Sequence, residues 1–96
     1  MSAILQEFID TLGPIVTGKL EGTAKLAING IGAVMLDHSG AREGDDAADV
    51  TLKADEQVFR NIMDGSQNPV TAFMSGKLKV DGSTTRALKV SSILVA

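Results

Sequence analysis

The chain has 96 residues, no cysteine and a formal net charge of −3 at pH 7, which suits one domain over residues 1–96. Without cysteine, disulfides, thiolate catalysis and cysteine-rich zinc sites are excluded. The acidic balance argues against nucleic acid as a partner, because phosphate binding needs clustered lysine and arginine. No apolar run approaches the ~20 residues that a membrane-spanning helix needs.

The first segment is predicted to be an amphipathic helix. Ser2 can cap it, and Ile4, Phe8 and Leu12 recur at a spacing of four. Gly13-Pro14 is expected to end it. The apolar stripe is wide for so small a domain, and packing on a sheet or on a second copy of the chain would explain it.

The next segment changes to the period of two that is typical of strands. Ala24, Leu26 and Ile28 alternate with more polar residues, and Asn29-Gly30 is a strong hairpin signal. The sequence predicts further strands over residues 32–37, 41–43, 48–54 and 77–81, with turns at residues 38–40 and 44–46.

Three more helices are predicted from their start and stop signals. Asp55 can cap the first, which Gly65 ends; Asn68-Pro69 opens the second, which Gly76 ends; Gly82-Ser83 opens the last. Their apolar positions are Val58, Phe59, Ile62 and Met63; Val70, Phe73 and Met74; and Ala87, Leu88, Val90 and Leu94, with Ser91 beside them. Together with the strands, these elements indicate an α+β layer, a five-stranded sheet with helices mostly on one side.

Few residues suggest chemistry. Asp37-His38-Ser39 contains the residue types of a hydrolase triad, but neighbouring residues point to opposite sides, so a turn is the better interpretation. His38 is the only histidine, which excludes a two-histidine metal site. The acidic residues lack the order of a calcium loop and are interpreted as a solvated turn; they are Glu43, Asp45, Asp46 and Asp49. We expect no catalytic residue, no metal and no cofactor, and therefore no enzyme.

Basic residues gather near the C-terminus. They are Lys77, Lys79, Arg86 and Lys89. Such residues are usually the solvent faces of a strand and a helix, and the alternative is a role at an anionic surface or headgroup.

Several motifs occur in an order that carries a family resemblance. They are Ala-Asp-Val-Thr-Leu from residue 48, Asn-Pro-Val-Thr-Ala-Phe-Met-Ser-Gly-Lys-Leu-Lys-Val-Asp-Gly from residue 68, and Ala-Leu-Lys from residue 87. In this order the sequence closely resembles the lipid-binding domain of the sterol carrier protein 2 family. The resemblance covers about half of the chain strongly, and it implies a mixed, mostly antiparallel five-stranded sheet covered by helices.

The resemblance also implies a function, a non-catalytic carrier that holds fatty acids, fatty acyl-CoA or sterol-like lipids in an apolar tunnel. The residues implied to border this cavity are Val34, Leu36, Val58, Ile62, Phe73, Met74, Leu88, Ser91, Ile93 and Leu94. Without the resemblance, the same helical stripes are typical of a filled core. The alternative is therefore a structural or protein-interaction module, such as an accessory of a lipid-metabolising enzyme.

The sequence also gives expectations for the binding partners and the cellular location of the protein. Besides a lipid or fatty acyl ligand, we expect transient contact with a membrane or an enzyme, and either a monomer or a homodimer. The N-terminus lacks the basic region of a secretory signal, and its apolar stretch is interrupted by Gln6, Glu7 and Asp10. We therefore expect a cytoplasmic protein.

Overall fold

The computed structural model describes residues 3–94. Four helices and five strands occur in this part of the chain: α1 (Ala3–Val16), β1 (Ala24–Ile28), β2 (Gly32–Asp37), β3 (Gly40–Glu43), β4 (Val50–Ala54), α2 (Glu56–Asp64), α3 (Pro69–Met74), β5 (Lys79–Gly82) and α4 (Thr84–Leu94). The strands form one sheet in the order β3-β2-β1-β4-β5. Only the β1–β4 pair is parallel, so the predicted α+β fold with a mixed, mostly antiparallel sheet is confirmed.

The core lies between one face of the sheet and the helices. The alternation predicted for β1 is confirmed, since Ala24, Leu26 and Ile28 are at most 2% exposed. Leu26 of β1 lies opposite Val34 of the neighbouring strand β2. Helix α1 packs over β2 and β3. The wide apolar stripe of α1 is thus explained by the sheet, where Phe8 is buried.

On the second face of the sheet, the connection from β3 to β4 covers β2 and β1. Because β4 pairs beyond β1, residues 44–49 must cross β2 and β1. The carboxylate of Asp45 pairs with Lys25 Nζ at 2.8 Å, and the buried side chain of Met35 lies against Gly44. Lys25 and Met35 lie opposite each other in the register, on the face away from the core. This crossing connection explains why β2 is buried on both faces.

Helix α1 extends further than predicted. It continues through Pro14 to Val16, so the prediction that Gly13-Pro14 ends the helix is wrong. Proline costs a helix one backbone donor, but Val16 is completely buried, and Thr17 N and Oγ1 both donate to Gly13 O. Burial of Val16 and this closing turn offset the loss. The predicted cap, Ser2, lies outside the described residues.

The helix signals after β4 are largely confirmed. Asn68 Oδ1 accepts hydrogen bonds from the backbone of Val70 and Thr71, at 2.8 and 3.2 Å, and Gly65 ends α2 with φ 86°. Asp55 occupies the N-cap position of α2 without capping through its side chain. Its Oδ1 instead accepts from Asn29 Nδ2 at 2.9 Å, which ties the helix start to the β1–β2 turn.

Strands β4 and β5 begin two residues later than predicted. Pairing with β1 begins at Val50. For β5, the backbone N–H groups of Lys77 and Leu78 both donate to Ala72 O and so still belong to the end of α3. Leu78 is 1% exposed, and pairing with β4 begins at Lys79.

Candidate functional site

A cleft of about 480 Å³ lies between the segment that follows α1 and the outer side of α4. This size falls within the ~300–1,000 Å³ typical of small-ligand pockets. The lining residues are Lys19, Leu20, Glu21, Ser83, Thr85, Arg86, Lys89, Val90 and Ile93.

The floor of this α4 cleft is apolar. Leu20 and Val90 are 5% and 3% exposed and belong to the hydrophobic core. Ile93 is half-buried and packs against the same core. The cleft therefore reaches the edge of the interior.

Its walls carry three cations and one carboxylate. Lys19 and Lys89 are exposed and take part in none of the ion pairs of the described residues. Arg86 Nη2 donates to Glu21 O at 3.1 Å, and it lies 3.9 Å from Asp49 Oδ2. The cleft is net positive in a chain of net charge −3, so it favours an anionic group.

Arg86 holds the two walls of the cleft together. Asp49 Oδ2 also accepts a hydrogen bond from Thr23 N at 2.9 Å, so arginine and aspartate meet over the turn before β1. Gly22 occupies this turn with φ 73°. A Cβ at residue 22 would overlap both the guanidinium of Arg86 and the carboxylate of Asp49. Glycine is therefore needed for backbone conformation and for space.

The start of α4 determines which of its side chains line the cleft. Ser83 Oγ accepts a hydrogen bond from Arg86 N at 3.3 Å, as an N-cap residue does. From this start, Arg86, Lys89, Val90 and Ile93 recur at helical spacing along the side of α4 that borders the cleft. Ala87, Val90 and Leu94 anchor the helix to the core.

The ten residues implied by the family resemblance are distributed between core and surface. Four are at most 1% exposed within the core, namely Val34, Leu36, Ile62 and Leu94. Val58, Phe73 and Ile93 are half-buried against it. Leu88 is half-buried. Ser91 is buried and donates its hydroxyl to Ala87 O at 2.9 Å.

Met74 differs from the other nine, since it is 80% exposed. The predicted apolar face of α3 is in part an outer face, because Val70 is also exposed, at 45%. Ile93 is the one member of the ten that lines the α4 cleft. A role in lipid binding stays a prediction for all ten.

Sequence reasoning missed the first wall of the cleft. Lys19 and Leu20 lie in an irregular segment without periodicity, so no local signal marks them. The sequence marks Arg86 and Lys89 only by their charge. Their spacing of three along α4, followed by Ile93 four residues later, is a signal that could have placed them on one side of the helix.

A second cleft, of about 410 Å³, lies at the β1–β2 turn. Its lining residues are Leu5, Ala27, Ile28, Ile31, Gly32, Ala33, Glu43, Gly44 and Asp45. Asp45 is engaged with Lys25, and the remaining charge is the carboxylate of Glu43. The geometry assigns no chemistry to this cleft.

The residues considered for catalysis or metal binding do not form a site. Next to the turn predicted at residues 38–40, Ser39 N and Oγ donate to the carboxylate of Asp37, while His38 is exposed. Over residues 3–94, no group of three or more metal-ligating side chains comes together. In the same range, none of the helices combines the length and apolar character needed to cross a membrane.

Relatives in sequence include two much longer proteins. The chain is 37% identical over 81 residues to hydroxysteroid dehydrogenase-like protein 2 of Xenopus tropicalis, covering 83% of this chain and 18% of that protein. It is 31% identical over 96 residues to sterol carrier protein 2 of Rattus norvegicus, covering 92% of this chain and 16% of that protein. The chain thus spans less than a fifth of the length of these relatives.

Solved structures show the same fold. Sterol carrier protein 2 from Aedes aegypti, determined in complex with palmitate, superposes with a TM-score of 0.78 at 21% identity, covering 98% of this chain and 96% of that one. The apo form from Yarrowia lipolytica gives a TM-score of 0.70 at 21% identity, with coverages of 96% and 74%. Residues 5–95 match the family model, and the chain belongs to the SCP-2 sterol transfer family.

Proposed function

We propose that this protein is a non-catalytic lipid carrier whose ligands are amphipathic lipids with an anionic head, such as fatty acids and fatty acyl-CoA. The observation that carries the proposal is the α4 cleft, in which cations border an apolar floor at the edge of the core. Family membership and the palmitate complex of the Aedes aegypti relative support it.

The cleft fits the two parts of such a ligand. Lys19, Arg86 and Lys89 would attract the anionic head, while Leu20 and Ile93 would contact the first methylenes of the tail. Each buried methylene gives about 0.8 kcal/mol, so eight give roughly 6 kcal/mol before the costs of association are subtracted. This predicts micromolar affinity at best, which suits a carrier that must release its cargo.

The ligand chemistry is tested with palmitate and 1-hexadecanol, which share a chain length but differ in the charge of the head. The protein is first examined by native mass spectrometry as purified, then delipidated and titrated while its melting temperature is followed. A ligand that binds only the folded state stabilises by about 2.7 kcal/mol at a hundredfold excess over Kd, which shifts the melting temperature by several degrees. We expect a larger shift with palmitate.

Two matched variants test whether the anionic head of the ligand binds in the α4 cleft. Lys89→Glu should weaken palmitate binding about five- to tenfold, since it replaces attraction in the cleft by repulsion. Lys53→Glu makes the same change in charge on β4, where Lys53 is exposed and lies outside the cleft, and binding should hardly change. Equal losses in both variants, or equal shifts with palmitate and 1-hexadecanol, would contradict an anion-selective cleft.

A second function is favoured by one observation. Val34, Leu36, Ile62 and Leu94 belong to a continuous buried core, as expected for a structural or interaction module with a filled interior. A clean apo mass and a melting temperature that no lipid shifts would favour this module over the carrier.

A further inference from the structure

Arg86 forms a weak ion pair with Asp49 beside the α4 cleft. Its Nη2 atom lies 3.9 Å from Asp49 Oδ2, which is longer than the ~2.7–3.2 Å of an N–H···O hydrogen bond. The two side chains are 43% and 52% exposed, so water competes for both charges. Exposed ion pairs of this kind contribute little to stability, and the guanidinium can therefore leave the carboxylate at small cost.

Asp49 is held in place without Arg86. Its N–H donates to Thr23 O at 3.0 Å, and its Oδ2 accepts from Thr23 N at 2.9 Å. These two hydrogen bonds fix the carboxylate at the turn before β1. If the ion pair separates, Asp49 keeps its bond from Thr23 N and its exposure to water, so Arg86 is the partner that moves.

Arg86 has donors left for a ligand. A guanidinium carries five N–H groups in a planar fork. Among the described residues, the side chain of Arg86 makes one hydrogen bond, from Nη2 to Glu21 O at 3.1 Å, and its Nε and Nη1 donate to none of them. The side chain lines the α4 cleft, where its fork suits a carboxylate or phosphate better than a lysine ammonium does.

We propose that Arg86 exchanges partners when an anionic lipid binds in the α4 cleft. The guanidinium turns from Asp49 Oδ2 to the oxyanion of the head and donates two hydrogen bonds to it. Asp49 is then an internal competitor, a carboxylate that holds Arg86 until the ligand arrives. This inference rests on the proposed function, and it adds the residue that selects oxyanion heads and the residue that opposes their binding.

The competitor favours release of the ligand. The guanidinium of Arg86 and the carboxylate of Asp49 both lie over Gly22, where a Cβ would overlap them. Because Thr23 keeps Asp49 at this place, the carboxylate is within reach as soon as the guanidinium leaves the head. An exposed ion pair must be given up on binding, so Asp49 should lower the affinity for palmitate about two- to fivefold.

A double-mutant cycle tests the exchange. Delipidated wild type, Asp49→Asn, Arg86→Gln and the double variant are titrated with palmitate by calorimetry. Asp49→Asn keeps an oxygen that can accept from Thr23 N, and we expect it to raise the affinity about two- to fivefold. Arg86→Gln should lower the affinity about tenfold, because charge-assisted hydrogen bonds to the head are lost.

Asp46→Asn is the matched control for charge. Asp46 is exposed on the same connection before β4, and it belongs neither to the lining of the α4 cleft nor to the ion pairs of residues 3–94. Any general electrostatic gain from removing one carboxylate appears here too. In the Arg86→Gln background, Asp49→Asn should have no more effect than this control. Melting temperatures establish that the variants fold.

The arginine side chains provide a direct readout. The three arginines of the sequence are Arg42, Arg60 and Arg86, and the first two pair with carboxylates elsewhere. In proton–nitrogen NMR spectra, palmitate should shift the Nε–H signal of Arg86, which the Arg86→Gln variant identifies. The signals of Arg42 and Arg60 should stay in place, and 1-hexadecanol should shift none of the three.

The results separate this inference from the proposed function. If the wild type binds palmitate and 1-hexadecanol equally or not at all, the proposed function fails, and the exchange fails with it. If palmitate binds selectively but Asp49→Asn raises the affinity equally in both backgrounds, or no more than Asp46→Asn does, the exchange alone is overturned. A lower affinity in Asp49→Asn would also overturn it, because Asp49 would then position Arg86 for the ligand.

Discussion

The rings of Phe8 and Phe59 meet edge to face, with centroids 6.4 Å apart and planes at 82°. Both are at most 1% exposed, so this contact joins α1 to α2 inside the core. Arg60 covers the pair from outside, with its guanidinium carbon 5.2 Å from the centroid of the Phe8 ring. The same arginine bonds Glu7 on α1 and Glu56 on α2. The first helix is thus fixed to a segment some fifty residues later.

Phe59→Ala should lower the free energy of unfolding by about 3–5 kcal/mol, because it removes a fully buried ring and leaves a cavity. Phe73→Ala, at a half-buried position on α3, should cost clearly less. Urea unfolding measures both. If Phe59→Ala does not fold, Phe59→Leu provides a milder change. Equal costs at the two positions would contradict the central role of the ring pair.

Gly22→Ala should destabilise the protein more than Gly18→Ala. Both glycines have positive φ, at 73° and 76°, so alanine is strained at either position by about 1–2 kcal/mol. Only at Gly22 would the new Cβ also displace Arg86 and Asp49, since nothing lies within 4 Å at Gly18. Thermal unfolding should show an additional cost of about 1 kcal/mol, the size of a typical hydrogen bond.

The role of Arg86 in this difference is tested in an Arg86→Ala background. Without the guanidinium, the additional cost at Gly22 should become smaller, because only the carboxylate of Asp49 then remains to be displaced. A difference of the same size in both backgrounds would show that Arg86 does not restrain this turn.

Asp37→Asn should make stability less dependent on pH. Hydrogen bonds from the Ser39 hydroxyl, then from Arg42 and from Ser39 N, hold the pKa of Asp37 well below its usual range. A lowered folded-state pKa stabilises the protein above the unfolded pKa of about 3.9 and loses this effect as the pH falls toward the folded pKa. The variant should therefore be less stable at pH 7, by about 1–2 kcal/mol.

The difference between wild type and Asp37→Asn should narrow below about pH 4, where the unfolded carboxylate becomes protonated. Urea midpoints between pH 7 and pH 3 measure it. Asp46→Asn, at an exposed position, controls for the loss of a carboxylate as such. A constant difference across this range would argue that the substitution acts through packing.

Leu36→Ala distinguishes a filled core from the wall of an open cavity. Leu36 is completely buried, so in a filled core its truncation should cost about 2–5 kcal/mol in the ligand-free protein. Leu88→Ala, at a half-buried position on α4, is the matched control and should cost less. A small loss of stability with a large loss of palmitate affinity would instead place Leu36 against the ligand.

Much of the fold could be predicted because local patterns agreed with tertiary packing. The alternation in β1 and the helix start at Asn68-Pro69 are each determined by neighbouring residues in the sequence. Pro14 shows the limit, since the continuation of α1 depends on burying Val16 against distant residues. Likewise, the late start of β5 depends on Ala72 O, which accepts from the segment that follows α3.

The candidate site could be predicted only in part. Four basic residues are close in sequence, but the fold separates them. Arg86 and Lys89 line the α4 cleft, whereas Lys79 alternates with Val80, which packs against the core, and so lies on the opposite face of the sheet. The partner wall, around Leu20, comes from the other end of the chain. The fold topology brings these two distant segments together, and a periodicity pattern within a short stretch of sequence cannot predict their contact.

The connection that crosses from β3 to β4 also has a kinetic consequence. β1, β2 and β3 join through short turns and can pair locally, whereas β4 aligns with β1 only after residues 29–49 have closed into a loop. Closing a loop costs entropy before its contacts form, so parallel pairing of distant strands is slow. The three-strand meander should therefore form first. The sheet is completed, and the attachment site for α4 created, only when β4 and β5 arrive.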